Sequence, residues 1–171
     1  ILSSAASDVY KRQGLGKSPT EPDPDIYEHK YIHCDVLVIG AGISGIIAAK
    51  TSAKNGFKTL LVDEKPHLGG STIYQNSEHF KINNQISSSW LDKEINEIKK
   101  IDNLEIKIRT SVAAFHGYNF LLARENLTDH LPLHQRNEKV RHRLLKIRAK
   151  KVISATAVSY THLRAHETVV H

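Results

Sequence analysis

The sequence predicts an α/β fold in which an antiparallel β-meander is inserted into a parallel sheet. The first observation is the stretch CDVLVIGAGISGIIAAK, from Cys34 to Lys50, which reads as a buried strand, a glycine turn and a helix. The second is a further apolar strand, KTLLVDE, from Lys58 to Glu64. The third is a series of alternating segments between 104 and 154, which favours antiparallel strands.

The first strand, the helix and the second strand form one crossover unit. Val36–Ile39 is a continuous apolar run of the kind that parallel strands buried on both faces show. The helix should then end near Gly56, since glycine readily adopts the left-handed conformation of a helix stop. Three isoleucines are expected on one buried side of this helix: Ile43, Ile46 and Ile47. From Asp35 to Glu64 the unit spans 30 residues, about the length that two parallel strands and a helix require.

The segments after this unit predict a second helix and the meander. The helix is expected over 90–100, opened by a capping box of Ser89 and Asp92. LEIKIR, at 104–109, alternates apolar and charged residues, which predicts a half-buried strand whose charged residues face solvent. VAAF and NFLLAR flank a tight turn, and RLLKIRAKKVISAT, at 143–156, is expected to form a further pair of strand segments.

The glycine turn is the motif that carries chemistry, because its spacing is G-x-G-x-x-G. Gly40 allows a tight turn off the strand, Gly42 lets the backbone approach a pyrophosphate, and Gly45 lets the helix pack against the strand. Ile43 and Ser44 open the helix, whose unpaired N–H groups would face the phosphates. The turn therefore predicts a dinucleotide-binding site and a Rossmann-like FAD/NAD(P)-binding fold.

An acidic residue follows the second strand. Asp63 stands 18 residues after Gly45, where a carboxylate can accept the ribose hydroxyls of a dinucleotide. Glu64 is the neighbouring candidate for that role, but strand alternation directs it away from the side of Asp63. An acid at this position favours NAD or FAD over NADP.

Two further segments belong to the predicted site. Gly70 ends the glycine pair of HLGGS, in a loop expected to lie close to the cofactor. The segment VISAT ends in Ala155 and Thr156, which are expected to return the chain to the nucleotide. Ala157 stands where an A-T-G turn would have glycine, a departure that we interpret as truncation of the domain.

With these motifs in place, the chain from about Gly14 to Thr156 resembles the alpha subunit of heterotetrameric sarcosine oxidase. PDPDIYEHKYIHCDVLVIGAGISG is similar to the entry of that subunit into its nucleotide-binding domain, and LVDEKPHLGGS to its second strand and glycine pair. NFLLARENLTDHLP and LLKIRAKKVISAT are similar to its meander and return strand.

The resemblance implies an oxidoreductase complex that demethylates sarcosine to glycine, with production of hydrogen peroxide and of formaldehyde or methylenetetrahydrofolate. It implies NAD in the domain seen here, FAD and FMN elsewhere in the complex, and tetrahydrofolate as co-substrate. It also implies beta, gamma and delta partner subunits in a bacterial cytoplasm. No catalytic residue of the demethylation is carried over to this sequence, and the chain alone is expected to be inactive.

Two alternatives stay open at this point. A related amine, opine or cyanide-forming FAD/NAD-dependent dehydrogenase would share this domain and differ downstream. A non-catalytic subunit would use the nucleotide only to brace an interface. The sequence that follows in the intact gene would distinguish a related dehydrogenase from the leading interpretation. A redox change of the bound nucleotide on adding amine would distinguish an enzyme from a non-catalytic subunit.

Composition limits the other classes of function. The chain has 171 residues, 40% hydrophobic and 25% charged, which suits one soluble domain, and no apolar run is long enough for a membrane span. The net charge of +6 comes from strands that alternate apolar with basic residues, so neither nucleic acid nor a membrane is expected as a partner. The single cysteine, Cys34, excludes an internal disulfide, and cytoplasmic localisation is expected.

No metal site is expected. His162 and His166 have the spacing of helical zinc ligands, but they lack a zincin glutamate and a third ligand. A second group is not expected to bind metal either, because it surrounds Pro132 in an irregular polar loop: Asp129, His130, His134 and His142.

The ends of the chain are set apart from the domain. The sequence contains no methionine, which predicts a fragment of a longer reading frame. Residues 1–13 and 158–171 resemble translated adapter sequence, and we expect both to be non-native. Residues 14–34 are predicted to be a Pro-rich linker or arm, and residues 35–157 a partial dinucleotide-binding domain.

Overall fold

The computed structural model describes residues 23, 25–74, 81–82, 84–136 and 139–156. Its strands, in chain order, are β1 (Ile26–Ile39), β2 (Thr59–Val62), β3 (Lys81–Ile82), β4 (Gln85–Ile86), β5 (Leu104–Lys107), β6 (Thr110–His116), β7 (Phe120–Asn126) and β8 (Val140–Ser154). The α-helices of these ranges are α1 (Ile43–Lys54) and α2 (Ser87–Ile98). Short 3₁₀ turns lie at Gly70–Tyr74, Gly117–Asn119 and Leu133–Gln135. The predicted non-native ends and Ala157 fall outside the described residues.

One six-stranded sheet organises the described part of the chain. Its strand order is β5-β2-β1-β8-β7-β6, and the first four of these strands run parallel. β7 is antiparallel to β8, and β6 is antiparallel to β7. The predicted α/β fold with an antiparallel meander is therefore confirmed, and the meander consists of β6, β7 and β8. β3 and β4 form a separate small hairpin.

The first strand begins earlier than the sequence predicts. Residues 26–34, assigned to the arm, continue β1 because they pair in parallel with Val140–Ala149 of β8. Most side chains of this extension are exposed, so no apolar run marks it in the sequence. The prediction that the strand starts at Asp35 is wrong. The prediction of two segments over 143–156 is also wrong, because β8 runs unbroken to Ser154.

β5 is a parallel edge strand and does not belong to the meander. It pairs with β2 from Leu104 to Lys107. Lys107 was expected to face solvent but is only 9% exposed, because its Nζ lies 2.9 Å from Oε1 of Glu125 on β7. Arg143 on β8 reaches the other oxygen of Glu125, also at 2.9 Å. A buried lysine is tolerated here because its charge is paired.

The second helix has no capping box. α2 begins at Ser87, so Ser89 and Asp92 lie inside the helix, and no side chain caps its first turn. β4 ends at Ile86 and delivers the chain directly into the helix, where Ser87 is buried. Packing of the first turn, and not a capping side chain, therefore sets this helix start.

Apolar clusters cover both faces of the sheet. Leu37 and Val38 are both fully buried and point to opposite faces, as predicted for a parallel strand covered on both sides. On the helix side, Ile46 is fully buried against this strand. Ile47 is 44% exposed, since adjacent helical residues point about 100° apart, and its predicted place on the buried side is wrong. α1 ends at Lys54, and Gly56 takes the predicted left-handed conformation with φ of 84°.

A polar cluster closes the end of the meander. His142 Nε2 lies 2.6 Å and Arg141 Nε 2.7 Å from the carboxylate of Asp129. The hydrogen bonds from His142 and then from Arg141 lower the pKa of Asp129 to about 2. Arg141 also pairs with Asp25 at the start of β1, so the cluster ties the first strand to the meander.

This cluster predicts a defined pH dependence. The pKa of Asp129 is lower in the folded than in the unfolded chain, so its contribution to stability is present above about pH 4 and lost between about pH 4 and pH 2. We expect Asp129→Asn to lower the free energy of unfolding at neutral pH by about 1–2 kcal/mol, allowing for partial exposure. Urea unfolding measures this, and the difference from the unsubstituted chain should shrink on acidification. Asp92→Asn, on the exposed side of α2, is the control; an equal loss there would contradict the assignment.

Within the described ranges, no helix combines the length and the apolar character that crossing a membrane requires.

Candidate functional site

The glycine turn connects the carboxyl end of β1 to the amino end of α1. Gly40 has φ of 98°, a conformation that side chains other than glycine rarely adopt. A Cβ on Gly45 would lie 1.8 Å from the carbonyl oxygen of Gly40, so the helix can approach the turn this closely only without a side chain. The turn is thus held by backbone-to-backbone packing at two of its three glycines.

Gly42 differs from its two partners because the space next to it is open. A Cβ there would meet nothing within 4 Å. Gly42 is the N-cap of α1, with extended backbone and no capping side chain. The N–H groups of the next three residues, Ile43, Ser44 and Gly45, have no acceptor within the helix. Open space and free donors therefore coincide at one point of the turn.

Asp63 follows β2 and bonds directly to the glycine turn. Its Oδ2 accepts a hydrogen bond from Ala41 N at 2.5 Å, and its Oδ1 accepts one from Lys65 N at 2.7 Å. Its main chain is fixed as well, because its N–H donates to Lys107 O and its carbonyl accepts from Thr110 N. The carboxylate is therefore held beside the turn, and the main chain that carries it is fixed by the end of β5 and the start of β6.

The glycine pair after Asp63 packs onto the same turn. Gly69 N donates to Ala41 O at 2.7 Å, with φ of 115° at Gly69. A Cβ on Gly70 would lie 3.1 Å from Gly42 Cα. The loop of the glycine pair and the glycine turn therefore contact each other at Gly42, while the position of a Cβ on Gly42 remains open.

The return strand closes the site from the other neighbour of β1. Ala155 N donates to Ile39 O at 2.8 Å, and a Cβ on Gly40 would meet Ala155 O at 2.8 Å. Thr156 is exposed, with its Oγ1 3.2 Å from Ser154 Oγ. The end of β8 thus packs against the base of the glycine turn.

The structure brings most of the predicted site residues to one edge of the sheet. The exception is Glu64, whose exposed side chain lines a different cavity together with Arg109. Sequence reasoning missed Ala41, which joins Asp63 and Gly69 through its N–H and its carbonyl. It also missed Thr110, whose N–H donates to the carbonyl of Asp63. The alternation of LEIKIR predicts a strand, but it does not reveal that this strand pairs with β2 and so brings Thr110 to Asp63.

A dinucleotide fits this arrangement. Its pyrophosphate would occupy the open space at Gly42, where the N–H groups of Ile43, Ser44 and Gly45 are available. The positive end of the α1 dipole favours negative charge at that point. Asp63 lies beside the same turn and could accept a ribose hydroxyl with its remaining lone pairs.

Comparison with known families decides the class of protein. Residues 35–168 match the family described as FAD dependent oxidoreductase, which includes every element of the site. The chain belongs to the FAD-dependent oxidoreductase family.

Two relatives of the chain confirm the resemblance that the sequence predicts. Sarcosine oxidase subunit alpha of Corynebacterium sp. (strain U-96) is 34% identical over 144 residues, covering 84% of this chain and 15% of that relative. The same subunit of Rhizobium meliloti (strain 1021) is 33% identical over 152 residues, covering 86% and 15%. The chain therefore spans about 15% of the length of these relatives.

A solved structure shows the same fold. L-proline dehydrogenase from P. horikoshii superimposes with a TM-score of 0.57 at 23% identity, covering 76% of this chain and 24% of that protein. This similarity concerns the fold of the FAD-dependent oxidoreductase domain.

Cys34 is a buried residue of β1, ahead of the glycine turn. Burial raises the pKa of the Cys34 thiol to about 11, which keeps it protonated and unreactive. Among the described residues, no group of three or more His, Cys, Asp or Glu side chains is arranged to hold a metal ion. His162 and His166 lie outside those residues.

Proposed function

We propose that this chain is the NAD-binding part of an enzyme complex similar to sarcosine oxidase. The observation that carries the proposal is the open space at Gly42, bordered by free helix N–H groups and by the carboxylate of Asp63. Gly40, Gly45 and Ala155 support it by fixing the backbone of the turn. The similarity to sarcosine oxidase alpha subunits supports the same assignment.

The residues of this chain would hold the dinucleotide and would not react with it. Backbone N–H groups at the start of α1 would bind the pyrophosphate, and Asp63 would orient the adenosine ribose. Glycine at positions 42 and 70 would keep the approach to the phosphates free of side chains. Thr156 would extend the binding surface from the return strand. The bound dinucleotide would supply the redox chemistry.

In the intact complex, the proposed reaction is the oxidative demethylation of sarcosine to glycine. Hydrogen peroxide and formaldehyde or methylenetetrahydrofolate would be the further products. FAD and FMN would be bound elsewhere, with tetrahydrofolate as co-substrate and beta, gamma and delta subunits as partners. The catalytic residues would then lie in the partner subunits or in other parts of the alpha subunit. The complex would be bacterial and cytoplasmic.

FAD is the second candidate for the same site, because the family match is to FAD-dependent oxidoreductases. Both dinucleotides share the ADP moiety that the glycine turn and Asp63 would hold. They differ beyond the pyrophosphate, in the nicotinamide or flavin half of the molecule.

Titration of the purified chain tests the proposal. We expect NAD to bind with a measurable heat in calorimetry, and FAD to be lost on dialysis. Retention of FAD, seen as visible flavin absorbance, would assign the site to FAD. Absence of binding by both dinucleotides would contradict the proposal.

The substrate is tested in the assembled complex. Adding sarcosine should reduce the bound flavin and release peroxide in air. Reduction by another secondary amine, with no response to sarcosine, would favour a related amine or opine dehydrogenase.

A further inference from the structure

The strands of the meander and the first part of β1 have one face open to solvent. Their other face is buried in an apolar cluster that joins Leu121 and Ile147 to Leu60 of β2. Of the described residues, none from β6 or β7 belongs to the apolar cluster on the helix side. On the open face, Tyr31 of β1 is 66% exposed, and Arg148 of β8 is exposed as well.

The strand register places eight side chains on this open face, in two rows that each take one residue from β1, β8, β7 and β6. The first row is Tyr31, Lys146, Leu122 and Ala114, and the second row is His33, Arg148, Phe120 and His116. We call these eight residues the outer face. At about 3.3 Å per residue, Arg148 lies about 20 Å before Ser154, where β8 reaches the dinucleotide site.

The outer face carries two cations and no carboxylate. The cations are Lys146 and Arg148. Within the described ranges, neither of them makes an ion pair, whereas Arg141 and Arg143 of the same strand both do. The outer face therefore offers two positive charges to an acidic group of another molecule.

Aromatic side chains hold both cations in place. Nζ of Lys146 lies 5.0 Å from the centroid of the Tyr31 ring and donates a hydrogen bond to its hydroxyl at 3.2 Å. Cζ of Arg148 lies 5.0 Å from the centroid of the Phe120 ring, and Nη1 donates to Tyr118 O at 3.1 Å. Cation–π contacts orient a charge without neutralising it. Binding to these cations therefore costs less side-chain entropy than binding to freely rotating lysine and arginine side chains.

The same contacts distinguish between classes of partner. Single-stranded nucleic acid binds to aromatic faces on which bases stack, but a cation of this chain already covers a face of Tyr31 and of Phe120. Anionic membranes attract clusters of about four to eight Lys or Arg residues, which is at least twice the number on the outer face. A second copy of this chain would bring cations against cations. These comparisons favour a polypeptide that carries carboxylates.

We propose that the outer face binds an acidic, extended segment of a partner subunit. Lys146 and Arg148 are two residues apart on one strand, so their side chains are spaced by about 6.6 Å. An extended segment with Asp or Glu at alternate positions has the same spacing of carboxylates and lies along β8. Tyrosine and arginine are also the residue types in which the centres of protein–protein interfaces are enriched.

A partner subunit fits the outer face better than a further part of the same domain does. The outer face mixes polar and aromatic side chains, as interfaces between separately folded chains do, whereas surfaces buried within a domain are apolar. This choice of source rests on the complex of the proposed function. The acidic chemistry does not, because neither the dinucleotide nor sarcosine enters the argument.

A synthetic peptide that alternates glutamate and threonine tests the chemistry when it is titrated into the purified chain and followed by amide NMR. We expect saturable binding that weakens as the salt concentration rises. Lys146→Gln and Arg148→Gln should each weaken binding about threefold, and the double variant about tenfold. Lys93→Gln removes an exposed lysine of α2 and is the control, which should bind the peptide normally.

Failure of the peptide to bind the unsubstituted chain would overturn the proposal. Equal binding by Lys146→Gln, Arg148→Gln and the control would overturn it too, because net positive charge would then suffice. Oligothymidylate and vesicles of phosphatidylserine and phosphatidylcholine are titrated in parallel. If either binds more tightly than the peptide and loses affinity in Lys146→Gln, the outer face belongs to nucleic acid or to a membrane, and the proposal is wrong.

Lysine acetylation of the assembled complex, read by mass spectrometry, tests the source of the segment. Lys146 should react more slowly in the complex than after the partner subunits have been dissociated. An unchanged rate would overturn the assignment to a partner subunit. Oxidation of sarcosine by the same complex is measured separately, so failure of the proposed function is distinguished from failure of this proposal.

Discussion

Gly45→Ala is expected to prevent the glycine turn from forming, whereas Gly42→Ala should leave the fold intact and weaken dinucleotide binding. The Cβ added at position 45 would lie 1.8 Å from Gly40 O; this Cβ is fixed to the backbone of α1 and the oxygen belongs to the backbone of the turn, so no side-chain rotation relieves the clash. Relief requires α1 to move away from β1, which we expect to cost at least about 3 kcal/mol in the free energy of unfolding.

The Cβ added at position 42 would meet no protein atom within 4 Å. It would instead occupy the space proposed for the pyrophosphate, so the affinity for the dinucleotide should fall at least about tenfold, or about 1.4 kcal/mol. Urea unfolding and calorimetric titration measure the two effects separately.

Gly117→Ala is the matched control for both variants, because that glycine also has open space around it and lies far from the turn. It should change neither stability nor binding. Normal dinucleotide binding by Gly42→Ala would contradict the placement of the pyrophosphate. A Gly45→Ala chain of undiminished stability would contradict the packing of the turn.

Asp63→Asn is expected to narrow the preference for NAD over NADP. A 2′-phosphate beside the carboxylate brings like charges together, which costs about 1–4 kcal/mol at an effective dielectric constant near 20. The gap between the two dinucleotides should therefore narrow by roughly five- to a thousandfold. The variant should also lose stability by about 1–3 kcal/mol, since an amide has one acceptor oxygen for the two N–H groups of Ala41 and Lys65.

Glu64→Gln is the control for charge alone, because Glu64 is the adjacent acid and its exposed side chain lines a cavity together with Arg109. Calorimetric titration of both variants with NAD and NADP provides the measurement. If only Glu64→Gln alters the preference, Asp63 is not the residue that selects the dinucleotide.

The sequence predicts those parts of the fold that depend on neighbouring residues. The run Val36–Ile39, the spacing of the glycines and the stop at Gly56 each follow from local chemistry, and the structure has the strand, turn and helix in these places. The position of Asp63 after β2 is local in the same sense. Parallel pairing of β1 with β2 predicts that Asp63 lies near the glycine turn. The hydrogen bond that its carboxylate accepts from Ala41 N is seen only in the structure.

Features that depend on distant pairing could not be predicted. Residues 26–34 look like a polar arm, and only β8 makes them a strand. Lys107 looks like a solvent-facing residue of an alternating segment, and only Glu125 makes its burial possible.

The packing of Ala155 against Gly40 has a consequence for the order of folding. The contact joins positions more than a hundred residues apart, because β8 is the last described strand and β1 is the first. During synthesis the glycine turn therefore emerges long before the Ala155 segment that packs against it. Closing so long a loop carries an entropic penalty. Parallel pairing at such separation is also slow. A nascent chain should gain affinity for the dinucleotide only once β8 has left the ribosome, so the ligand can stabilise the completed sheet but cannot nucleate it.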